Sequence, residues 1–325
     1  MDSDIFPLEK APSMLKDSRA LIVRRESREA YCRLVLKSPL IARDARPGQF
    51  LMVQTSNQPY PLLRRPFSIH ARTGETVEIF FSRVGWGTEI LAQKKTGETL
   101  DILGPLGKGF ILGGGAGDQA QGPPQNKGDS AESLKGKMVF LVGGGRGIAP
   151  LYFLAGELRK QEAVPIIFYG GKTKSDIPLV DRFKARKFGL LVSTDDGSTG
   201  FPGLVSAMLE RELARLAELP LPVLPLDQAD ESKTPTTLRV AGPPQAGFPA
   251  CIYACGPEAM MSKIAELAAA YSIPAQFSLE AVMGCGIGAC WSCVRKIRRG
   301  DKVEWVKICQ EGPVFHSSEI VWENE

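Results

Sequence analysis

Histidine is almost absent from this chain, with two in 325 residues, at positions 70 and 316. Neither His70 nor His316 falls in a pattern suited to nucleophilic or general acid–base work, and no paired carboxylates stand out. Abstraction of a proton from a carbon acid is therefore expected to happen elsewhere. An excess of one charge is lacking too: 40 Lys and Arg face 36 Asp and Glu, leaving a formal +4. That balance is too diffuse for a nucleic-acid or anionic-membrane surface. No run reaches the ~18 consecutive apolar residues of a membrane span. The opening residues, with Asp2, Asp4 and Glu9, lack the basic-then-apolar layout of a secretory leader. A cytoplasmic protein with two or three domains is expected.

A disulfide framework is also missing. Of the seven cysteines, Cys32, Cys251 and Cys255 are scattered, while Cys285, Cys290, Cys293 and Cys309 crowd the C-terminal end. A local cluster in a reducing compartment favours metal ligation.

The hydrophobic pattern divides the chain. Short alternating runs such as Tyr31 to Leu36, Phe50 to Gln54 and Val77 to Ser82 predict an antiparallel β-barrel over residues 19–112, after an N-terminal tail, 1–18. Residues 113–137, rich in Gly, Pro, Gln and Ser, read as a flexible linker or surface loop. From Met138 the pattern becomes strand, helix, strand, with buried runs at MVFLVGGG, VPIIFYGG, GLLVSTDDG and ACIYACG. That alternation predicts a doubly wound parallel α/β domain over 138–275, interrupted by a Pro-rich insertion at about 219–249. A helix is expected to open at Pro257. The remainder, 276–325, reads as a small separate lobe around the cysteines, with a strand at Val303 to Lys307.

Three motifs carry chemistry. Cys285-x4-Cys290-x2-Cys293, then fifteen residues and Cys309, has the spacing with which plant-type ferredoxins hold a [2Fe–2S] cluster. The small residues Gly284, Gly286, Gly288 and Ala289 let the backbone wrap a cluster and aim amides at its sulfurs. A structural zinc site is the alternative, although only Cys290 with Cys293 forms the short knuckle zinc sites usually pair. The second motif, Gly143, Gly144, Gly145, Arg146, Gly147, Ile148, Ala149 and Pro150, lies between a predicted strand and helix. Glycines there let a pyrophosphate approach the backbone and the amides of the helix start; tight packing alone is the other reading. Its companion, Cys255-Gly256-Pro257, repeats the strand-to-helix arrangement where an adjacent parallel strand would bring a second loop to the same sheet edge. The third set is Arg65, Pro66, Phe67 and Ser68, then Phe81, Ser82, Arg83, Gly87 and Thr88. An arginine can pair with a phosphate, a hydroxyl can bond a flavin ring atom, and an aromatic can flank the flavin; taken alone these are an ordinary strand and loop.

In this order, the motifs resemble those of the ferredoxin–NADP reductase superfamily. The resemblance implies that Arg65 to Ser68 and Gly87-Thr88 bind FAD, and that the glycine loop and the Cys255-Gly-Pro segment hold the nicotinamide nucleotide. The tail, SLEAVMGCGIGACWSCV with Cys309-Gln-Glu-Gly-Pro-Val-Phe315, is similar to the electron-transfer subunits of class B, NAD-dependent dihydroorotate dehydrogenase, as is Thr194-Asp-Asp-Gly197. In that family a partner subunit oxidises dihydroorotate on FMN, and electrons pass through the [2Fe–2S] cluster and FAD to NAD⁺ in pyrimidine (UMP) biosynthesis. The resemblance implies an FMN-containing catalytic partner, two copies of each subunit, and a docking surface near Met283, Ile287 and Trp291. Ser82 departs from the family, which often carries a basic residue there; Arg83 stands next to it. Lys172 and Lys174 are either 2′-phosphate ligands or solvated surface groups, and the family points to NAD. Rival readings are an iron–sulfur flavin reductase subunit of another complex, of hydrogenase or ferredoxin:NADP oxidoreductase type, and a zinc-stabilised nucleotide-binding protein without activity.

Overall fold

The computed structural model describes residues 15–113, 133–218 and 247–322. Most of the linker read at 113–137, most of the insertion read at 219–249, and nearly all of the N-terminal tail lie outside the described residues.

Six strands build the first layer: β1 (Lys16–Arg28), β2 (Tyr31–Lys37), β3 (Phe50–Val53), β4 (Arg65–Thr73), β5 (Thr76–Ser82) and β6 (Thr99–Leu106), with short helices α1 (Pro39–Asp44) and α2 (Trp86–Gln93) between them. They close in the order β1-β2-β5-β4-β3-β6, every pair antiparallel, with β6 returning to β1. The alternation that marks half-buried strands here puts Ile22, Leu34, Leu36, Val53, Ile69, Ile79 and Ile102 inside the barrel. β1 begins at Lys16, within the stretch read as a tail.

The second layer is a parallel sheet. Strands β7 (Met138–Gly144), β8 (Val164–Gly171), β9 (Gly189–Thr194), β10 (Phe201–Pro202), β11 (Ile252–Cys255) and β12 (Ala275–Ser278) alternate with α3 (Ile148–Lys160), α4 (Val180–Ala185), α5 (Val205–Glu218) and α6 (Glu258–Ala270). Helices α3 and α4 cover one face, packing on Leu141, Ile167 and Tyr169. Helices α5 and α6 cover the other, packing on Phe140, Phe168 and Ile252. Barrel and sheet share these cores: Tyr31 and Phe80 join the first cluster, Phe50 and Met52 the second.

The C-terminal segment is less separate than its sequence suggests. A hairpin of β13 (Val294–Arg299) and β14 (Lys302–Lys307) and a short turn of helix, α7 (Ile308–Glu311), precede β15 (Val314–His316). β15 adds antiparallel to β12, completing a seven-stranded sheet in the order β10-β9-β8-β7-β11-β12-β15. A cluster of small polar runs gave no hint of this pairing, which is set by Phe315 packing beside Phe277 in the shared core. Among the described residues no helix is long and apolar enough to cross a membrane.

Candidate functional site

The sheet order reverses between β7 and β11, the place where open α/β sheets bind ligands at their C-terminal edge. Both glycine-bearing loops emerge there, with Gly143 in register with Cys255. Most of the glycines serve the close approach of the two loops. A Cβ on Gly147 would overlap the Cys255 carbonyl oxygen, and one on Gly144 would lie 2.7 Å from Met260 Sδ and 2.8 Å from Pro257 Cδ. Gly145 differs: its φ is +52°, and a Cβ there would meet nothing within 4 Å. The loop therefore combines glycines that lock two turns together with one whose open face looks outward over the start of α3. Such a turn leaves backbone open to an anion at a helix start. Ile148, Ala149 and Pro150 are buried in the first turn of α3. Cys255 is itself buried, its thiol pushed up by desolvation beside the Ser278 hydroxyl, so its side chain belongs to the core rather than to an open site.

The barrel supplies the facing wall. Of the paired arginines, Arg64 is bound inward, its guanidinium donating to the Asp101 carbonyl at 2.8 Å and to Asp101 Oδ1 at 2.9 Å. Arg65, also half-buried, bonds no carboxylate among the described residues; its Nη1 donates to the Leu63 carbonyl at 2.5 Å. It folds over the N-terminus of α2, where a Cβ on Gly87 would lie 3.1 Å from Arg65 Nε and 3.4 Å from Thr55 Oγ1. Thr55 Oγ1 is buried and has no hydrogen-bond partner. An orphaned hydroxyl, a guanidinium and the free amides of a helix start thus converge, a set that fits an anionic phosphate. Thr55 has no sequence signal beyond lying two residues after β3.

Thr88 caps α2, accepting from the Val84 and Gly85 amides at 3.0 and 3.1 Å. The half-buried Pro66 and Ser68 lie along β4 beside Arg65. Phe67 and Phe81 pack on each other inside the barrel, ring centroids 5.1 Å apart, so neither is placed to flank a flavin. Arg83 turns away, donating to the Glu29 carbonyl and standing 3.8 Å from Glu89. Ser82 instead accepts a hydrogen bond from Arg146 Nη1 at 3.2 Å, a contact from the glycine loop across to the barrel.

The four C-terminal cysteines come as two pairs. Cys290 lies beside Cys285, and Cys309 beside Cys293. Among the described residues no three His, Cys, Asp or Glu side chains converge to hold one ion. Two pairs of thiols fit a two-iron cluster, with two terminal ligands per iron. Backbone amides are aimed at sulfur: Ile287 N–H donates to Cys285 Sγ at 3.4 Å and Gly288 N–H to Cys309 Sγ at 3.1 Å. The Ser292 hydroxyl, 3.1 Å from Cys290 Sγ, holds that exposed thiol down at about 6, whereas burial beside Cys293 pushes Cys309 up to about 12. Gly286 and Gly288 have φ of +74° and +82°, and Cβ atoms on them would strike Met52 of β3 and Gln310 respectively. The cysteine loop is therefore seated directly on the barrel. Ile287 and Trp291 are exposed, whereas Met283 is half-buried and packs against the shared core.

Comparison with known proteins agrees with this geometry. Residues 280–321 match the iron–sulfur cluster binding domain of dihydroorotate dehydrogenase B. The chain is 34% identical over 313 residues to the "Dihydroorotate dehydrogenase B (NAD(+)), electron transfer subunit" of Desulforamulus reducens, covering 96% of this chain and 100% of that one. It is 35% identical over 292 residues to the protein of the same description from Bacillus caldolyticus, covering 89% and 91%. Among solved structures, an NADH-dependent reduced ferredoxin–NADP oxidoreductase studied for flavin-based electron bifurcation superposes with a TM-score of 0.68 at 25% identity, covering 95% of this chain and 91% of the other. A ferredoxin NADP⁺ reductase from Neisseria gonorrhoeae, at 15% identity and a TM-score of 0.52, covers 80% and 92% and shares the fold. This chain belongs to the family of electron-transfer subunits of NAD-dependent dihydroorotate dehydrogenase B.

Proposed function

We propose that the chain passes electrons from the FMN of a dihydroorotate-oxidising partner, through a [2Fe–2S] cluster and FAD, to NAD⁺ in pyrimidine biosynthesis. Cys285, Cys290, Cys293 and Cys309 would hold the cluster. Arg65, Pro66, Ser68, Gly87 and Thr88, with Thr55, would seat the FAD, and the Gly143 to Pro150 loop with Gly256 and Pro257 would take the nicotinamide nucleotide. When bound, a flavin exchanges two electrons with a nicotinamide and single electrons with an iron–sulfur centre, which is the conversion this chain needs.

The protein's own groups position and tune. Amides donated to Cys285 and Cys309 stabilise negative charge on sulfur. Arg65 offsets phosphate charge at the α2 terminus, and the interlocked glycines bring the two nucleotide loops together. Cys309, whose thiol burial keeps protonated, releases its proton on ligation. We place the chain in the cytoplasm, where unpaired thiols persist, in an assembly of two catalytic and two electron-transfer subunits.

The observation that carries this reading is the two-by-two arrangement of thiols seated on the flavin-type barrel. Purification without air, with iron, sulfide and flavin assayed on one sample, tests it. About two irons and one FAD per chain are expected, and zinc without flavin would refute it. The purified chain alone should not oxidise dihydroorotate; turnover without a partner would sink the proposed division of labour. The likeness to a ferredoxin–NADP oxidoreductase supports a second reading, a reductase serving another complex. Failure of an added dihydroorotate-oxidising flavoprotein to reduce NAD⁺ through this chain would favour it.

A further inference from the structure

Arg146 occupies the middle of the glycine loop, exposed between Gly145 and Gly147. It is a long cationic side chain in a turn otherwise built to be small. Its Nη1 leaves the nucleotide sheet altogether and donates to Ser82 Oγ, 3.2 Å away, on the last residue of β5 in the barrel. Other guanidiniums along this barrel and seam are committed. Arg64 is bound to Asp101, Arg33 and Arg182 share Glu78, and Arg83 holds the Glu29 carbonyl. Arg146 has one hydrogen-bond partner, a neutral hydroxyl, and no carboxylate among the described residues pairs with it.

A guanidinium carries five donors in a planar fork matched to phosphate oxygens, and one neutral hydroxyl uses a single donor of them. The charge stands between the two places where phosphates are expected: the outward face of Gly145 over the start of α3, and the barrel wall that carries Arg65 and Ser82. We propose that Arg146 is a diphosphate-binding residue, lent by the nucleotide loop to the seam between the domains, with Ser82 orienting its fork. The ligand class is the diphosphate of a dinucleotide. This rests on the functional reading above, in which both FAD and NAD⁺ carry that group, and the test separates the two sources.

The test uses the complex with its catalytic partner, purified with flavin bound. The rate of FAD release on dilution is followed by the recovery of flavin fluorescence, and the dissociation constant for NAD⁺ is obtained by calorimetric titration at two ionic strengths. For Arg146→Gln, losing a charge-assisted phosphate contact is expected to change one constant by about tenfold. Faster FAD release assigns Arg146 to the flavin diphosphate. Weaker NAD⁺ binding with a shallower salt dependence assigns it to the nicotinamide nucleotide. Arg146→Lys should fall between, because it keeps the charge and loses the fork. Adding Ser82→Arg to Arg146→Gln returns a guanidinium to the same point from the barrel side and should restore the affected constant, which no general misfolding would allow. Unchanged FAD release and unchanged NAD⁺ binding in Arg146→Gln would overturn the inference. A wild-type complex that binds neither dinucleotide would instead overturn the functional reading.

Discussion

His70 sets a pH limit on the contact between barrel and sheet. It lies on β4, fully buried, with its ring stacked on Tyr152 of α3 at 4.6 Å and near Phe80 at 5.5 Å. Nδ1–H donates to the Ala149 carbonyl at 2.8 Å, while Nε2 has no partner. Burial, with Arg182 and Arg33 close by, depresses its pKa from 6.5 to about 3. A histidine held neutral in the folded state and titrating normally when unfolded contributes its full stability above pH 6.5. That stability is lost as pH falls from 6.5 toward 3, because the unfolded chain takes up a proton that the folded chain refuses. Each unit of separation is worth about 1.4 kcal/mol, so between pH 7 and pH 5 the wild type should lose about 2 kcal/mol from this residue. His70→Phe keeps an aromatic ring at the seam and removes the titration; it also removes the Nδ1–H bond to the Ala149 carbonyl, a cost that does not vary with pH. Urea midpoints of wild type and variant at pH 7, 6 and 5, converted with a common m-value, give the comparison. The wild-type advantage should shrink, or become a deficit, as pH falls. Parallel pH curves would show that His70 is protonated or solvated in the folded protein and would refute the argument.

Gly147→Ala adds a methyl where the Cys255 carbonyl already stands, at a φ of −59° that suits alanine, so the cost is purely steric. A loss of about 3 kcal/mol in urea unfolding and a sharp rise in the dissociation constant for NAD⁺ are expected. Gly145→Ala, with φ of +52° and nothing nearby, should cost about 1 kcal/mol through backbone strain alone. Arg65→Gln should leave the unfolding midpoint in place and lower the FAD content of the purified protein. Arg64→Gln should do the reverse, destabilising by about 1 kcal/mol because the bonds to the Asp101 carbonyl and carboxylate are lost and only Lys16, 3.3 Å from Oδ2, still pairs with that half-buried acid. Cys290→Ser should abolish the iron–sulfur absorbance while retaining flavin; Cys32→Ser, in the barrel interior, should keep both and lower only stability.

Local patterns wrote the fold into the sequence wherever one segment settles its own structure. The buried runs became β7, β8, β9 and β11, and the helix after Pro257 runs over Glu258–Ala270, burying Met261, Ile264, Leu267 and Ala268 with Met260 half-buried. Cysteine spacing likewise announced the cluster, because a loop that wraps a metal centre is local. What stayed hidden depends on partners distant in the chain. The alternation around Phe67 and Phe81 marks two faces of a strand, yet only closure of the barrel decides that their rings point inward. β13, read from VRKIRR, has too few apolar residues to look like a strand and is held by its hairpin partner. Thr55 gained meaning only when the barrel brought it beside Gly87 and Arg65, and Arg146, although inside the glycine motif, only when barrel and sheet came together at Ser82.

The return of the chain after the cysteines explains why an electron-transfer centre belongs to this fold rather than hanging from it. Transfer between centres weakens steeply with separation, so a loop that carries one must not wander relative to the site that carries the other. Here three independent contacts restrain it. β15 pairs with β12 at the edge of the nucleotide sheet. Lys108 N–H donates to the Gly312 carbonyl at 2.6 Å, beside Gly107, whose Cβ would lie 2.6 Å from Pro313. Gly286 rests on Met52 of the barrel strand that leads to Thr55. The first contact ties the cysteine segment to the nicotinamide side, and the other two tie it to the flavin side. Glycine is required at Gly107 and Gly286 for the same physical reason: φ of +74° at each and a neighbouring side chain already within contact distance leave no room for a Cβ. The interval between the cysteines and the barrel is therefore fixed by backbone packing, while Ile287 and Trp291 of the same loop remain exposed.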